Sequence, residues 1–286
     1  MEFRLETGRP ATETDLQGSR GMLLRMTAPA LLISRDGPVL SLCLNRPESK
    51  NSLDPELVES LGDALEQANV DTEVRAVILT GAGGAFCSGV DLRQAAADIA
   101  APERLEARLT GFHRLIFAIT GCDKPVVAAV DGPAVGFGAD LALACDLRVA
   151  SSSAYFQEKF VALGLMPDGG GTFHLPRLIG VGRALEHLLL GTRIDAEAAL
   201  GLGLVNRVVA PSELAAESHT LATQLAAGAP LAVAAIKRAV RQNLESDLAS
   251  ALMRERKGQL GLLASADVTE GVSAFFARRP ARFQGK

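Results

Sequence analysis

The stretch Pro125-Val126-Val127-Ala128-Ala129-Val130-Asp131-Gly132-Pro133-Ala134-Val135-Gly136-Phe137-Gly138-Ala139-Asp140 passes from an uninterrupted apolar run, through a turn of glycine and other small residues, into helix-forming Leu141-Ala142-Leu143-Ala144-Cys145. A short continuous apolar run bounded by turn signals reads as a strand covered on both faces. The same plan stands upstream, where Arg75-Ala76-Val77-Ile78-Leu79-Thr80 leads into Gly84-Ala85-Phe86-Cys87-Ser88-Gly89-Val90-Asp91-Leu92. Small residues let a ligand approach the main chain, and amides at a turn or helix N-terminus are free to point at negative charge. Two such turns in one site would supply paired N–H donors for a single oxyanion, either an enolate or a tetrahedral intermediate.

Outward from these turns the chain alternates strand and helix. Leu31 to Arg35, an Asp36-Gly37 turn and Val39 to Leu44 form a hairpin pattern. Asp54-Pro55 is an N-cap followed by proline, and Leu57, Leu61, Leu65 and Ala68 recur at helical spacing. Asp146 to Ala150 is another strand candidate, residues 154–172 read as a glycine-rich loop and bend, and the chain from Pro230 reads as two or three helices with a linker near Ala264-Ser265-Ala266-Asp267. Apolar strands separated by helices predict an α/β fold with a largely parallel sheet. Residues 1–25 are polar and aperiodic, so they read as a disordered or appended leader. Residues 26–215 form the expected core and 216–286 a helical lobe.

The 286 residues are 48% hydrophobic and 22% charged, enough for one large domain or a main domain with a smaller lobe. A net charge of −4, no Lys/Arg block, one Tyr and no Trp argue against nucleic acid. Cys43, Cys87, Cys122 and Cys145 form no C-x-x-C pair, which suggests neither zinc nor disulfides and fits reduced thiols in the cytoplasm. No apolar run approaches the roughly 20 residues of a membrane span. His113, His174, His187 and His219 lack a second ligand at metal spacing, so no metal is expected. P-loop and G-x-S-x-G motifs are absent, and Phe86 stands where a dinucleotide fingerprint would place its last glycine. Cys87 has no identifiable His or Asn partner, so its backbone N–H is the more useful donor.

Two carboxylates are candidates for the chemistry. Asp140 follows the second turn, where it is either a helix-dipole residue or an acid of the site. Asp168 lies in Gly164-Leu165-Met166-Pro167-Asp168-Gly169-Gly170-Gly171, where apolar neighbours would raise its pKa toward that of a useful base, although Pro-Asp-Gly is also ordinary turn chemistry.

The ordered motifs Leu44-Asn45-Arg46-Pro47 with Asn51-Ser52, Phe86 to Leu92, Ala129 to Asp146, Leu163 to Gly171, Leu175-Pro176-Arg177, and Glu270 to Phe275 with Arg279 to Phe283 resemble the enoyl-CoA hydratase/isomerase (crotonase) family. The resemblance runs from about Leu31 to the C-terminus, and the stretch Leu165 to Thr172 with the ending Gly271 to Lys286 looks most like the phenylacetate-type isomerase branch. It implies a ββα spiral with a C-terminal helical lobe that packs as a homotrimer or a dimer of trimers. It also implies an acyl-CoA or enoyl-CoA thioester as substrate, with no separate cofactor because the substrate carries coenzyme A. The thioester carbonyl would be held by the N–H groups of Cys87 and Phe137, and Cys87, Ser88, Gly89, Val90, Asp91 and Leu92 would line the coenzyme A moiety. Hydratases of the family carry two glutamates; Asp140 falls on the first position and Phe160 on the second. Asp168 matches the acid used by several isomerases. The expectation is therefore double-bond migration with Asp168 as proton shuttle and Asp140 as a secondary acid or positioning group. The alternatives are a 2-enoyl-CoA hydratase and a non-catalytic acyl-CoA binder.

Overall fold

The opening hairpin forms where its pattern lies: β1 (Leu31–Asp36) pairs antiparallel with β2 (Val39–Leu44), and Gly37 turns between them at φ +53°. The computed structural model describes residues 28–99 and 101–286, so the leader expected over residues 1–25 lies outside the described residues. Helix α1 (Pro55–Val70) begins at Asp54, whose carboxylate accepts the Leu57 N–H at 2.9 Å, and it buries Leu57, Leu61, Leu65 and Ala68. Then follow β3 (Ala76–Gly81), α2 (Leu92–Ile99), α3 (Pro102–Gly121), β4 (Val126–Val130), β5 (Pro133–Val135), α4 (Phe137–Ala144) and β6 (Leu147–Ser151).

The main sheet has the order β1-β2-β3-β4-β6-β9, with β9 at Arg207–Val209, and every pairing from β2 onward is parallel. All five residues of β4 are buried, because both faces of the sheet are covered. Val126, Ala128 and Val130 pack in one core with Leu57 and Leu61 of α1, Phe112 and Leu115 of α3 and Leu141 of α4. Val127 and Ala129 point the other way, onto Leu214, Leu221 and Ala222. The period of two within one apolar run thus feeds two cores.

A smaller sheet of order β5-β7-β8 joins β7 (Tyr155–Gln157) and β8 (Ile194–Asp195), with α5 (Gly171–Ile179), α6 (Val181–Leu190) and α7 (Ala196–Gly201) around it. The region expected to be loop over 154–172 therefore holds a strand and a 3₁₀ turn at Phe160–Leu163 before α5 begins. Three residues of strand give too short an alternation to be distinguished from loop by pattern alone.

The expected helical lobe opens with α8 (Leu214–Ala226), which covers the second face of the sheet. Beyond it stand α9 (Pro230–Asn243), α10 (Leu248–Leu263) and α11 (Ala266–Phe276). The linker expected between the last two shrinks to a break at which Ser265 caps α11. Asp146, just before β6, fastens α9 to the core through Lys237 at 2.6 Å and Arg241 at 2.9 Å. Among the described residues, no single helix is long and apolar enough to cross a membrane.

Candidate active site

The two glycine turns are one substructure. Cys87 and Ala134 form an isolated parallel bridge: the Cys87 N–H donates to Pro133 O and the Val135 N–H donates to Cys87 O, both at 3.0 Å. The close approach needs glycine. A β-carbon on Gly89, whose φ is +95°, would lie 2.8 Å from Val135 O and 3.6 Å from Phe137 N, and one on Gly138 would lie 2.2 Å from Cys87 O.

This bridge corrects one expectation. The Cys87 amide is already committed to Pro133 O, so it is not a free donor. Along the same turn the amides of Phe86, Ser88, Gly89 and Asp91 are also bonded, to Pro133 O, Lys50 O, Cys87 Sγ and Leu53 O. Among the described residues the amide of Val90 has no acceptor, so Val90 rather than Cys87 carries the unbonded N–H of this turn. Parallel bridging of Leu53 to Val90 explains the orientation, since Gly89 O and Asp91 N take the Leu53 side and leave Val90 N facing away. On the second turn Phe137 opens α4, and its amide is likewise without an acceptor, as the first N–H groups of a helix are. Its ring packs on Phe112 of α3 with centroids 4.4 Å apart. Burial pushes the Cys87 thiol up to about 12, which leaves it inert as a nucleophile.

Other residues of the stretch serve the turn itself. The Ser88 hydroxyl donates to Ser49 O at 2.9 Å, and Asp91 faces Arg46 at 3.4 Å, while Leu92 is exposed. Asn51, wholly buried at φ +57°, donates to Ala82 O at 2.9 Å and Ala85 O at 2.7 Å and accepts the Arg46 N–H at 2.8 Å. It fixes both ends of the loop that delivers Val90. Asn51→Ala would orphan the buried Ala85 carbonyl and the half-buried Ala82 carbonyl at a strained backbone position, so a urea titration should show a loss of about 3 kcal/mol; a loss below about 1 kcal/mol would mean that the loop holds itself.

Three carboxylates meet beside Phe137. Asp140, in the first turn of α4, is wholly buried and accepts the Gly169 N–H at 3.0 Å through Oδ2. Burial, and then the charge of Asp168, raise its pKa to about 7. Asp168 is half-buried with Oδ1 unpartnered; burial raises its pKa against the opposing charges of Arg108 and His113 on α3. The third acid is Glu158, 4% exposed, directly after β7. Phe160 is indeed apolar, buried at the start of the 3₁₀ turn, yet the inference that no second acid stands with Asp140 is overturned by Glu158 two residues earlier. The missed signal was strand alternation: Phe156 and Glu158 fall on the same, buried side of Tyr155–Gln157 extended by one residue. Among the described residues no group of side chains has the arrangement to hold a metal ion.

A cleft of about 440 Å³ opens beside Val90, walled by Leu53, Val58, Arg104, Arg108 and Phe112. A larger groove of about 560 Å³ runs past Phe117 and Arg114, but it holds neither free amide and none of the three acids. The smaller cleft has Val90 in its wall, but neither Phe137 nor any of the three acids.

The sequence profile described as enoyl-CoA hydratase/isomerase matches residues 34–286. The chain belongs to that family. It is 42% identical over 86% of its length, and 94% of the other protein, to a "Probable enoyl-CoA hydratase" of Rhodobacter capsulatus. It is 40% identical over 87% of its length, and 95% of the other, to the 1,2-epoxyphenylacetyl-CoA isomerase of Escherichia coli. Among solved structures, the enoyl-CoA hydratase of Bacillus anthracis superposes with a TM-score of 0.87 at 35% identity, covering 90% of this chain and all of that one. The protein is thus an enzyme of the hydratase/isomerase family with the crotonase fold.

Proposed function

We propose that the protein moves the double bond of an enoyl-CoA thioester, with Asp168 carrying the proton and the Val90 and Phe137 amides stabilising the enolate oxygen. The observation that carries this reading is the pair of acceptor-free amides on two interlocked turns, with the half-buried Asp168 facing α3, which also walls the Val90 cleft. Asp168 takes a proton from one carbon, the electron pair delocalises onto the thioester oxygen, and the same proton returns to another carbon; no other reactant is consumed. A carboxyl whose pKa is raised by burial suits both halves of that exchange. The acyl group occupies the Val90 cleft, and the coenzyme A moiety lies along residues 87–92. Water addition is the second reading, favoured by the buried Asp140 and Glu158 pair.

Incubation with a 3-enoyl-CoA and, separately, a 2-enoyl-CoA tests both. Conversion of the 3-enoyl to the 2-enoyl thioester, with slow hydration of the latter, supports isomerisation. Rapid formation of a 3-hydroxyacyl-CoA that survives Asp168→Asn would replace it with the hydratase reading. Exposed Leu252, Met253, Leu260, Phe275 and Phe276 on α10 and α11 support association as a homotrimer or a dimer of trimers, and four free cysteines support a reducing cytoplasm.

A further inference from the structure

Glu158 is a buried acid to which the proposed reaction gives no task. Both its oxygens are inaccessible and receive no donor from the protein, an expensive arrangement for a carboxylate. Its neighbour is Asp140, whose Oδ1 is equally buried and unpartnered. The two heads converge on Gly171: a β-carbon there would lie 2.6 Å from Asp140 Oδ1 and 2.8 Å from Glu158 Oε1. Glycine at the start of α5 is what makes room for them.

Two buried carboxylates side by side, with a single N–H donor between them, cannot both be ionised. One proton between them resolves two of the three orphaned oxygens, because the protonated head becomes the donor that the other lacks. The asymmetry is set by the surroundings. Asp140 already accepts the Gly169 N–H, which steadies its charge, whereas Glu158 accepts nothing. The charged groups facing the pair are Asp168 from the loop before α5 and the two heads themselves, and among the described residues no cation is bonded to either head. His187 of α6 lines the small cavity on the other side of Glu158 and is bonded to Thr192, while His174 of α5 faces Arg148, Arg177 and Arg241.

We infer that Glu158 is a positioning residue that stays protonated and donates its proton as a hydrogen bond to Asp140, keeping Asp140 ionised and aimed at the Gly169 amide. Through that amide it fixes the loop carrying Asp168. This deepens the proposed reaction, but it concerns the free protein and is tested without substrate.

Burial, then the charge of Asp140, raise the Glu158 pKa well above the usual carboxylate range, while that of Asp140 is about 7. Infrared spectra with ¹³C-labelled glutamate or aspartate, taken at about pH 8, separate the two acids. The wild type should show a protonated carboxyl band that shifts with labelled glutamate and disappears in Glu158→Gln. In Glu158→Leu, which removes the donor, the proton should pass to Asp140: a protonated aspartate band appears, and its titration midpoint lies at least about one pH unit above that in Glu158→Gln, where the amide still donates. Absence of a glutamic acid band in the wild type overturns the proposal. Equal Asp140 midpoints in the two variants overturn it as well. If Glu158→Leu fails to fold, the band lost between wild type and Glu158→Gln decides alone. Failure of double-bond migration would leave these bands unchanged, so the two readings fail separately.

Discussion

Asp168→Asn should lower turnover of a 3-enoyl-CoA by about 10²- to 10⁴-fold while leaving KM and the fold close to wild type. The variant keeps the volume of the side chain and removes only its ability to take a proton. Stability should not fall. Asp168 has a raised pKa in the folded state, from burial first, so the stability it contributes is complete below the unfolded value and is lost as pH rises through the folded one. At neutral pH the wild type carries a partly buried charge that the amide does not. Thermal unfolding at about pH 7.5 should therefore find Asp168→Asn at least as stable as the parent. The wild-type rate should fall as pH drops through a value above the ordinary aspartate pKa of about 3.9, since the base must be ionised to act. Turnover within about threefold of wild type would remove Asp168 from the chemistry and pass the role of base to Asp140.

The second large effect is expected at Gly138, a residue that presents no functional group. A β-carbon there meets Cys87 O at 2.2 Å and Cys87 C at 2.8 Å. Both are backbone atoms held by the bridge between the two turns, so relief can come only from lifting the first turn of α4 away from the Cys87 turn. That movement displaces the Phe137 amide relative to the Val90 amide. Losing one properly aimed donor costs about 10²- to 10³-fold in turnover. Overpacking adds about 1–3 kcal/mol of destabilisation, visible in a urea titration. Gly182→Ala is the matching control, because nothing lies within 4 Å of its added carbon and α6 accepts alanine readily. If Gly138→Ala turns over as fast as Gly182→Ala, the paired amides are not where the oxyanion sits.

The two effects show which kinds of information local sequence carries. Element order and pattern were legible because each signal is contained in a few adjacent residues. Asp54-Pro55 starts α1 by a local cap, Asp36-Gly37 turns the hairpin, and the apolar run of β4 announces burial on both faces. Family membership was legible for the same reason, in motifs that keep their order along the chain.

The donor pair and the third acid were not. Which amide of the Phe86 to Leu92 turn remains free depends on Pro133 and Leu53, whose carbonyl oxygens take up the amides of Cys87 and Asp91. Glu158 looks like a solvated loop glutamate until β7 pairs with β5 and β8 and turns it inward toward Asp140 and Gly171. By itself, the sequence determined the alternation of strand and helix, the two glycine turns, Asp140 directly after the second of them, and Asp168 as a candidate acid in a glycine-rich stretch. Only the tertiary structure decided that Val90 rather than Cys87 offers its N–H, and that Asp140 meets a second buried carboxyl, because hydrogen-bond occupancy and desolvation are set by residues distant in the chain.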